Sequence, residues 1–250
     1  MLAVLSPAKS LDFETPLPAV TPTRPRFAAE AKRIAGAAAE LGPGRLAELM
    51  DISDRLAVLN DERYRGFSRA PRRPALYAFA GDVYIGFEAS TLDQPAILFA
   101  QGHVRILSGL HGILRPLDAI RPYRLEMGTR WAPGASSLYA HWGNRLSAAL
   151  ASDLRDEGSG VIVNLASREY WQAIAQTPPP KARVVTIDFR EEGPDGLRFN
   201  SFAAKRARGM MARYLCEHCF AKVEDLKGFD SDGYRYDAAS EGDLWRFVRR

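Results

Sequence analysis

One mixed sheet flanked by helices, an α/β fold of the mixed α+β kind, is what this chain predicts from three observations. Short apolar, β-branched runs recur along it, helix-period segments lie between them, and the spacing lacks the regular βαβ cadence of a doubly wound domain. No internal repeat or linker interrupts the pattern, so residues 1–250 are expected to form a single domain.

The elements follow in order. "LAVL" (2–5) reads as a strand that ends at Ser6-Pro7, and the four prolines between Thr15 and Pro25 make a loop. Residues 26–41 place Phe27, Ala31, Ile34, Ala38 and Leu41 at helical intervals, and Gly42-Pro43-Gly44 should stop that helix. Residues 45–64 read as two short helices joined at Ile52-Ser53, with Ser53 or Asp54 capping the second. "ALYAFAGDVYIGF" (75–87) is aromatic and β-branched, broken by Gly81-Asp82, and predicts strand, turn, strand or strand into helix. "HVRIL", "GVIVNLAS" and "RVVTIDF" are further strands, the second preceded by the amphipathic "SSLYAHWGNRLSAALASDL". Residues 201–220 form the clearest late helix.

Composition excludes several classes. With 46% hydrophobic and 26% charged residues the chain is an ordinary globular composition, and no apolar run reaches membrane-spanning length, so no membrane partner is expected. The start has no basic region and too short an apolar run for a signal peptide, and only two cysteines are present, both of which suit a reducing, cytoplasmic setting. G-x-G-x-x-G, Walker A, H-E-x-x-H and G-x-S-x-G are all missing, so the usual nucleotide, zinc-protease and hydrolase signatures are unsupported. Cys216, His218 and Cys219 lack a second ligand cluster, and the other histidines are scattered; neither a metal site nor a cofactor is expected.

Four segments deliver polar groups at the end of an apolar run: Ser6, Lys9 and Asp12; Asp82 and Tyr84; Ser108, Arg115 and Asp118; Asn164, Ser167, Glu169 and Tyr170. Each alone could be a cap or turn residue, but together they predict a cleft at adjacent strand ends. "LSGLHGILRPLDAIRPYRLEMGT" (107–129) sharpens this, because an apolar approach runs into Arg115, Asp118, Arg121, Arg124 and Glu126. Arg115 and Arg121 precede prolines, which holds the chain extended and suits bidentate capture of an anion; an internal ion-pair network is the other option.

Two further cationic elements stand out. Along 201–220, Lys205 and Arg208 precede Gly209, a helix-interior glycine that makes sense if another core element or a ligand held by those cations approaches closely. Arg63, Arg65, Arg69, Arg72 and Arg73, interleaved with Tyr64 and Phe67, fit contacts to a phosphate backbone. They follow "LMDISDRLA" (49–57), a helix-hairpin-helix-like pattern in which Ser53 and Arg55 open the second helix. Asp51 and Ser53 stand where such hairpins usually carry glycine, and Asp51 would repel DNA.

"LSPAKSLD", "FAGDVYIGFEA", the 107–129 segment, "VIVNLASREYW", "SFAAKRARGMMARYL" and the late "LKGFDSDGYRYD" resemble, in order and over essentially the whole chain, the signature segments of the YaaA peroxide-stress family. His111 departs from it, standing where the family more often has Tyr. The resemblance implies a cytoplasmic bacterial protein of the oxidative-stress response that limits free intracellular iron and protects DNA and proteins from peroxide. It also implies an unusual α/β fold with a helix-hairpin-helix, here around Leu46 to Tyr64, and binding of double-stranded DNA, including distorted forms. It brings no catalytic residue.

Three expectations result. The first is a DNA-binding stress protein that contacts the backbone through residues 49–73, with Lys205 and Arg208. The second is an enzyme whose cleft gathers Lys9, Asp82, Arg115, Arg124, Glu126, Asn164 and Lys205 around a phosphorylated or nucleobase-containing small molecule. There Lys9 or Glu126 would act as acid/base and the arginines would hold the anion. The third is a scaffold whose motif residues only specify the fold.

Overall fold

The computed structural model describes residues 1–250. β1 (Leu2–Leu5) is buried at every position, as a continuous apolar run should be when a strand is covered on both faces. The chain then crosses a long irregular segment to α1 (Ala28–Ala39), α2 (Gly42–Met50) and α3 (Asp54–Arg65). Gly42-Pro43-Gly44 ends one helix as expected but also opens the next, because proline in the first turn forfeits no intrahelical hydrogen bond. A three-residue turn joins α2 to α3, with Asp51 in the left-handed region at φ 48°, a conformation that Asp tolerates better than most residues.

A two-residue strand, β2 (Arg73–Pro74), precedes α4 (Ala75–Ala78) and α5 (Asp82–Phe87). Here the expected strands give way to helix. Gly81 starts α5 and packs against Ala8; Tyr84 and Phe87 are buried on α5, Phe79 is buried in the extended link between the two helices, and Tyr77 is half-buried. α6 (Gln94–His103), which the sequence reading did not identify, is capped by Asp93 and feeds β3 (Val104–Ser108), which turns into β4 (Gly112–Leu114). After β5 (Ala119–Ile120), the stretch expected as one helix is two, α7 (Leu138–Trp142) and α8 (Arg145–Glu157), broken at Gly143 with φ +50°. β6 (Val161–Asn164), α9 (Arg168–Ala175), β7 (Arg183–Gly193), β8 (Gly196–Arg198), α10 (Ser201–Glu217), β9 (Tyr234–Tyr236) and β10 (Leu244–Arg249) complete the chain.

The main sheet has eight strands in the order β4-β3-β1-β6-β7-β10-β9, with β8 paired to β7. Its five central strands are parallel, while β4, β9 and β8 add antiparallel pairings. A separate small sheet pairs β2 with β5. From β1 the chain adds β3 on one side and β6 on the other, so strand order reverses at β1. In open α/β sheets the crevice beyond the carboxyl ends of strands at such a point is the usual place for a site. The register sets Val4 opposite both Arg105 and Asn164, which brings Ser6 beside the segments that follow β3 and β6.

α10 crosses α5 with backbone touching backbone. A Cβ on Gly209 would lie 1.8 Å from the Val83 carbonyl oxygen, and one on Gly86 2.1 Å from the Arg206 carbonyl oxygen. The helix-interior glycine is therefore explained by the approach of another core element.

Candidate functional site

Beyond the ends of β1, β3 and β6, polar groups interlock. The Ser6 hydroxyl accepts from the Ser167 amide at 2.8 Å and faces the Ser167 hydroxyl at 3.3 Å; the Tyr84 hydroxyl donates to the Ser6 carbonyl at 3.0 Å. Ser108 and Tyr123 share a hydroxyl hydrogen bond of 2.7 Å, and Tyr64 donates to the Arg124 carbonyl. Burial pushes the hydroxyls of Tyr64, Tyr84, Tyr123 and Tyr170 up in pKa, with neighbouring acidic groups adding to the effect. These tyrosines are neutral donors near pH 7.

The charged centre of this cluster is Glu126. One carboxylate oxygen lies 3.0 Å from Arg124 Nε and 3.4 Å from Lys9 Nζ; the other, Oε2, is buried with no partner. Segments more than a hundred residues apart thus meet here: Ser6 and Lys9, Tyr84, Arg124 and Glu126, Ser167 and Tyr170. Asp82 sits at the first position of α5, next to Gly81, which packs against Ala8 beside Lys9. Asn164 is buried and turned inward, accepting from the Ala166 amide and facing Thr186, so it holds the strand end rather than opening to a cleft.

The remaining expected cations divide by partner. Arg115 is tied to Asp118 through its guanidinium and its backbone amide, and Thr23 also donates to Asp118, which makes an internal network. Arg73 is buried, donating to the Tyr77 carbonyl and facing Asp12, and is not available to an external phosphate. Arg63 is half-buried against Asn60, and Arg65 pairs with Asp61. Arg55, Arg69 and Arg72 are exposed and make no ion pair or side-chain hydrogen bond. Ser53 occupies the N-cap position of α3 without a side-chain cap bond. Lys205 is exposed, stacked over Phe202, so it does not join the Glu126 cluster. Arg208 is half-buried with Nε unpartnered, and Asp188 is its nearby counter-charge.

A cavity of about 880 Å³ lies elsewhere, between Pro22–Pro25, the start of α1, residues 67–72 and the β3–β4 turn. Arg24, Lys32, Arg72 and Arg121 line it together with Phe67 and His111, and no acidic residue does. Arg121 donates to the Ala70 carbonyl and lies over the Phe67 ring; burial and the like charge of Arg72 lower its pKa. His111 is 3% exposed, packed edge-on to Tyr123, and neither ring nitrogen has a hydrogen-bond partner. Burial lowers its pKa to about 3, so the ring is neutral at pH 7. Sequence reasoning flagged Arg121 and Arg72 but not this grouping. The signal was present in the clustering of Arg24 and Lys32 with apolar neighbours, but their approach to His111 is a tertiary contact.

No group of three or more His, Cys, Asp or Glu side chains is placed to hold a metal ion, and no helix is long and apolar enough to cross a membrane. Cys216 is buried, with its thiol pKa pushed up chiefly by burial, and Cys219 is exposed; they form no disulfide.

Comparison with known proteins places these features in a family. The family described as "Peroxide stress protein YaaA" matches residues 1–240. A UPF0246 protein of Rhizorhabdus wittichii is 64% identical over 251 residues, covering 100% of this chain and 99% of its own. UPF0246 proteins of Hahella chejuensis and Polynucleobacter asymbioticus are 46% and 48% identical, covering 100% and 96% of this chain and 99% and 94% of their own. With the match running over nearly the entire chain, the protein belongs to the YaaA family of peroxide stress proteins.

Proposed function

We propose that this peroxide stress protein holds double-stranded DNA by its phosphate backbone, with little sequence preference, and limits iron-dependent damage by covering the DNA rather than by ligating the metal. The observation that carries this reading is the set of exposed arginines without acidic partners, Arg55, Arg69 and Arg72, at the two ends of α3. At one end the first-turn amides and Ser53 form an exposed helix start, where backbone N–H groups favour an anion. The loop carrying Arg69 and Arg72 follows the other end. Twelve residues of α3 separate them by ~18 Å at 1.5 Å per residue, a span of about five phosphates along one strand. Asp51 and Asp54 at the turn oppose DNA there, so the stronger contact belongs to the 66–72 end.

Fluorescence anisotropy of a labelled duplex, with and without a bulge, across a salt series tests this. Binding should weaken with salt, and Arg69→Ala/Arg72→Ala should reduce the log–log slope by about 1.8, roughly 0.9 for each lost phosphate contact. An unchanged slope, or no binding at low salt, would sink the reading.

A second reading is favoured by one observation, the buried and unpartnered Oε2 of Glu126 beside Lys9 and Arg124. In it the polar cluster at the β1 switch point acts on a phosphorylated or nucleobase-containing small molecule. Glu126 or Lys9 moves a proton and Arg124 steadies developing negative charge. It takes precedence if duplex DNA fails to bind.

A further inference from the structure

We propose that the cavity between the 22–25 segment and the 67–72 loop binds a small phosphomonoester whose other end carries a hydroxyl or ring nitrogen, with Arg24, Lys32, Arg72 and Arg121 taking the phosphate and the His111 imidazole taking the neutral end. Nucleoside monophosphates and pentose phosphates share this chemistry. The inference does not rest on the DNA reading, although Arg72 belongs to both: that reading also uses Arg55 and Arg69, outside the cavity, whereas this site is defined by the cavity and a buried ring.

Three independent features point to such a ligand. The first is uncompensated charge. Four cations line about 880 Å³ with no acidic residue among them. The acids on the same elements are committed elsewhere: Asp118 to Thr23 and Arg115, Glu30 to Arg33, Arg145 and His141. Arg121 is held toward Arg72 by its bond to the Ala70 carbonyl, an arrangement of like charges that a bound dianion relieves.

The second feature is His111. A buried polar group without a partner is costly, and here both ring nitrogens lack one although the residue forms part of the cavity wall. A neutral imidazole offers one donor and one acceptor, which suits a hydroxyl or the edge of a heterocycle better than a phosphate. The ligand therefore has two chemically different ends. The third feature is size and lining. The volume is in the range of small-molecule pockets and exceeds what a lone phosphate needs, and Phe67 with Arg121 above it supplies a flat wall against which a ring can pack.

Isothermal titration calorimetry of the full chain with AMP, ribose 5-phosphate and inorganic phosphate tests the proposal. At least one of the two esters should bind more tightly than inorganic phosphate. Arg121→Ala should weaken every phosphate at least tenfold. His111→Leu should weaken the ester about tenfold while leaving inorganic phosphate unchanged; Arg155→Ala, exposed on α8 and outside the cavity, should change neither. Binding of AMP alone assigns the neutral end to the base, and binding of both esters assigns it to the sugar. Should His111→Leu not fold, Lys32→Ala and Arg121→Ala carry the test at the phosphate end. No heat from any of the three compounds at millimolar concentration overturns the proposal. So does equal affinity for ester and inorganic phosphate, which marks a non-selective anion patch. Duplex affinity measured on His111→Leu separates the two readings: it should match the wild type, and loss of DNA binding by the wild type would leave the nucleotide titration intact.

Discussion

His111 and Asp118 lie seven positions apart, are both almost fully buried, and are treated in opposite ways. Asp118 accepts from Thr23, from the Arg115 amide and from the Arg115 guanidinium, so its charge is satisfied. His111 has no partner on either nitrogen, and burial holds its pKa near 3 against an ordinary value of 6.5. The unfolded ring takes up a proton that the folded ring refuses, so stability is full above pH 6.5 and falls as pH drops from there toward 3. The slope from this group approaches ~1.4 kcal/mol per pH unit. His141, also lowered mainly by burial, adds a slope of the same sign; Glu30, lowered to about 2 by Arg33, acts only below its usual range near 4.5. Urea unfolding of His111→Leu at pH 8 and pH 5 should show the variant gaining on the wild type as pH falls, and a constant difference would contradict the depressed pKa. From sequence alone Arg115 and Arg121 look alike, both preceding proline. Only Arg115 finds a carboxylate, Asp118 three residues on, where Arg121 has Arg124 at the same spacing.

The α5–α10 pair shows what a helix can demand of its neighbour. Two glycines, Gly86 and Gly209, let the backbones meet where any side chain would collide with a carbonyl. Such atoms cannot swing away as a side chain can, so Gly209→Ala should cost about 3 kcal/mol or more, at or beyond the upper end of ordinary overpacking. Ser201→Ala, exposed at the start of the same helix, serves as the control and should change stability by under about 0.5 kcal/mol. Both are read from thermal and urea unfolding. The glycine in "KRARGMMA" was visible in the sequence as an anomaly, yet core contact and ligand contact explained it equally well until α5 was seen against it. The same contact explains why "DVYIGF" is helical. Its aromatic and β-branched composition favours strand, but burial against α10 overrides that weak preference.

At the scale of the whole molecule, the sheet is fastened to its helices by a buried charge cluster. Arg105 on β3 donates to Asp153 on α8 and to three carbonyls, those of Gln101, Gly102 and Val104, while Arg26, ahead of α1, reaches the same carboxylate. Arg105 and Asp153 are each about 6% exposed. Asp153→Asn keeps the shape and removes the counter-charge, so it should cost about 3–5 kcal/mol, a large share of the 5–15 kcal/mol typical of a native protein. Replacing the pair together, Arg105→Met with Asp153→Leu, should recover much of that loss, because the desolvated charge is gone. Chemical denaturation checks both. The same assembly decides where polar residues meet: β1 is the point at which strand order reverses, so Ser6 and Lys9 gather Tyr84, Glu126 and Ser167 around them.

Legible in the sequence were the class of fold, the strands expected at 2–5, 103–107, 160–167 and 183–189, the helices at 26–41 and 201–220 and the family, because apolar periodicity and long ordered motifs are local signals carried by adjacent residues. Strands 234–236 and 244–249 were not identified, being short and charged and defined mostly by their pairing partners. Which polar groups are paired and which are free emerges at the level of tertiary contacts. These bury Arg73 facing Asp12, turn Asn164 toward Thr186, and bring Arg24, Lys32, Arg72 and Arg121 around an unpartnered His111. The reason is physical: whether a charge is satisfied depends on groups brought near it by the sheet's strand order, across sequence separations that no local pattern encodes.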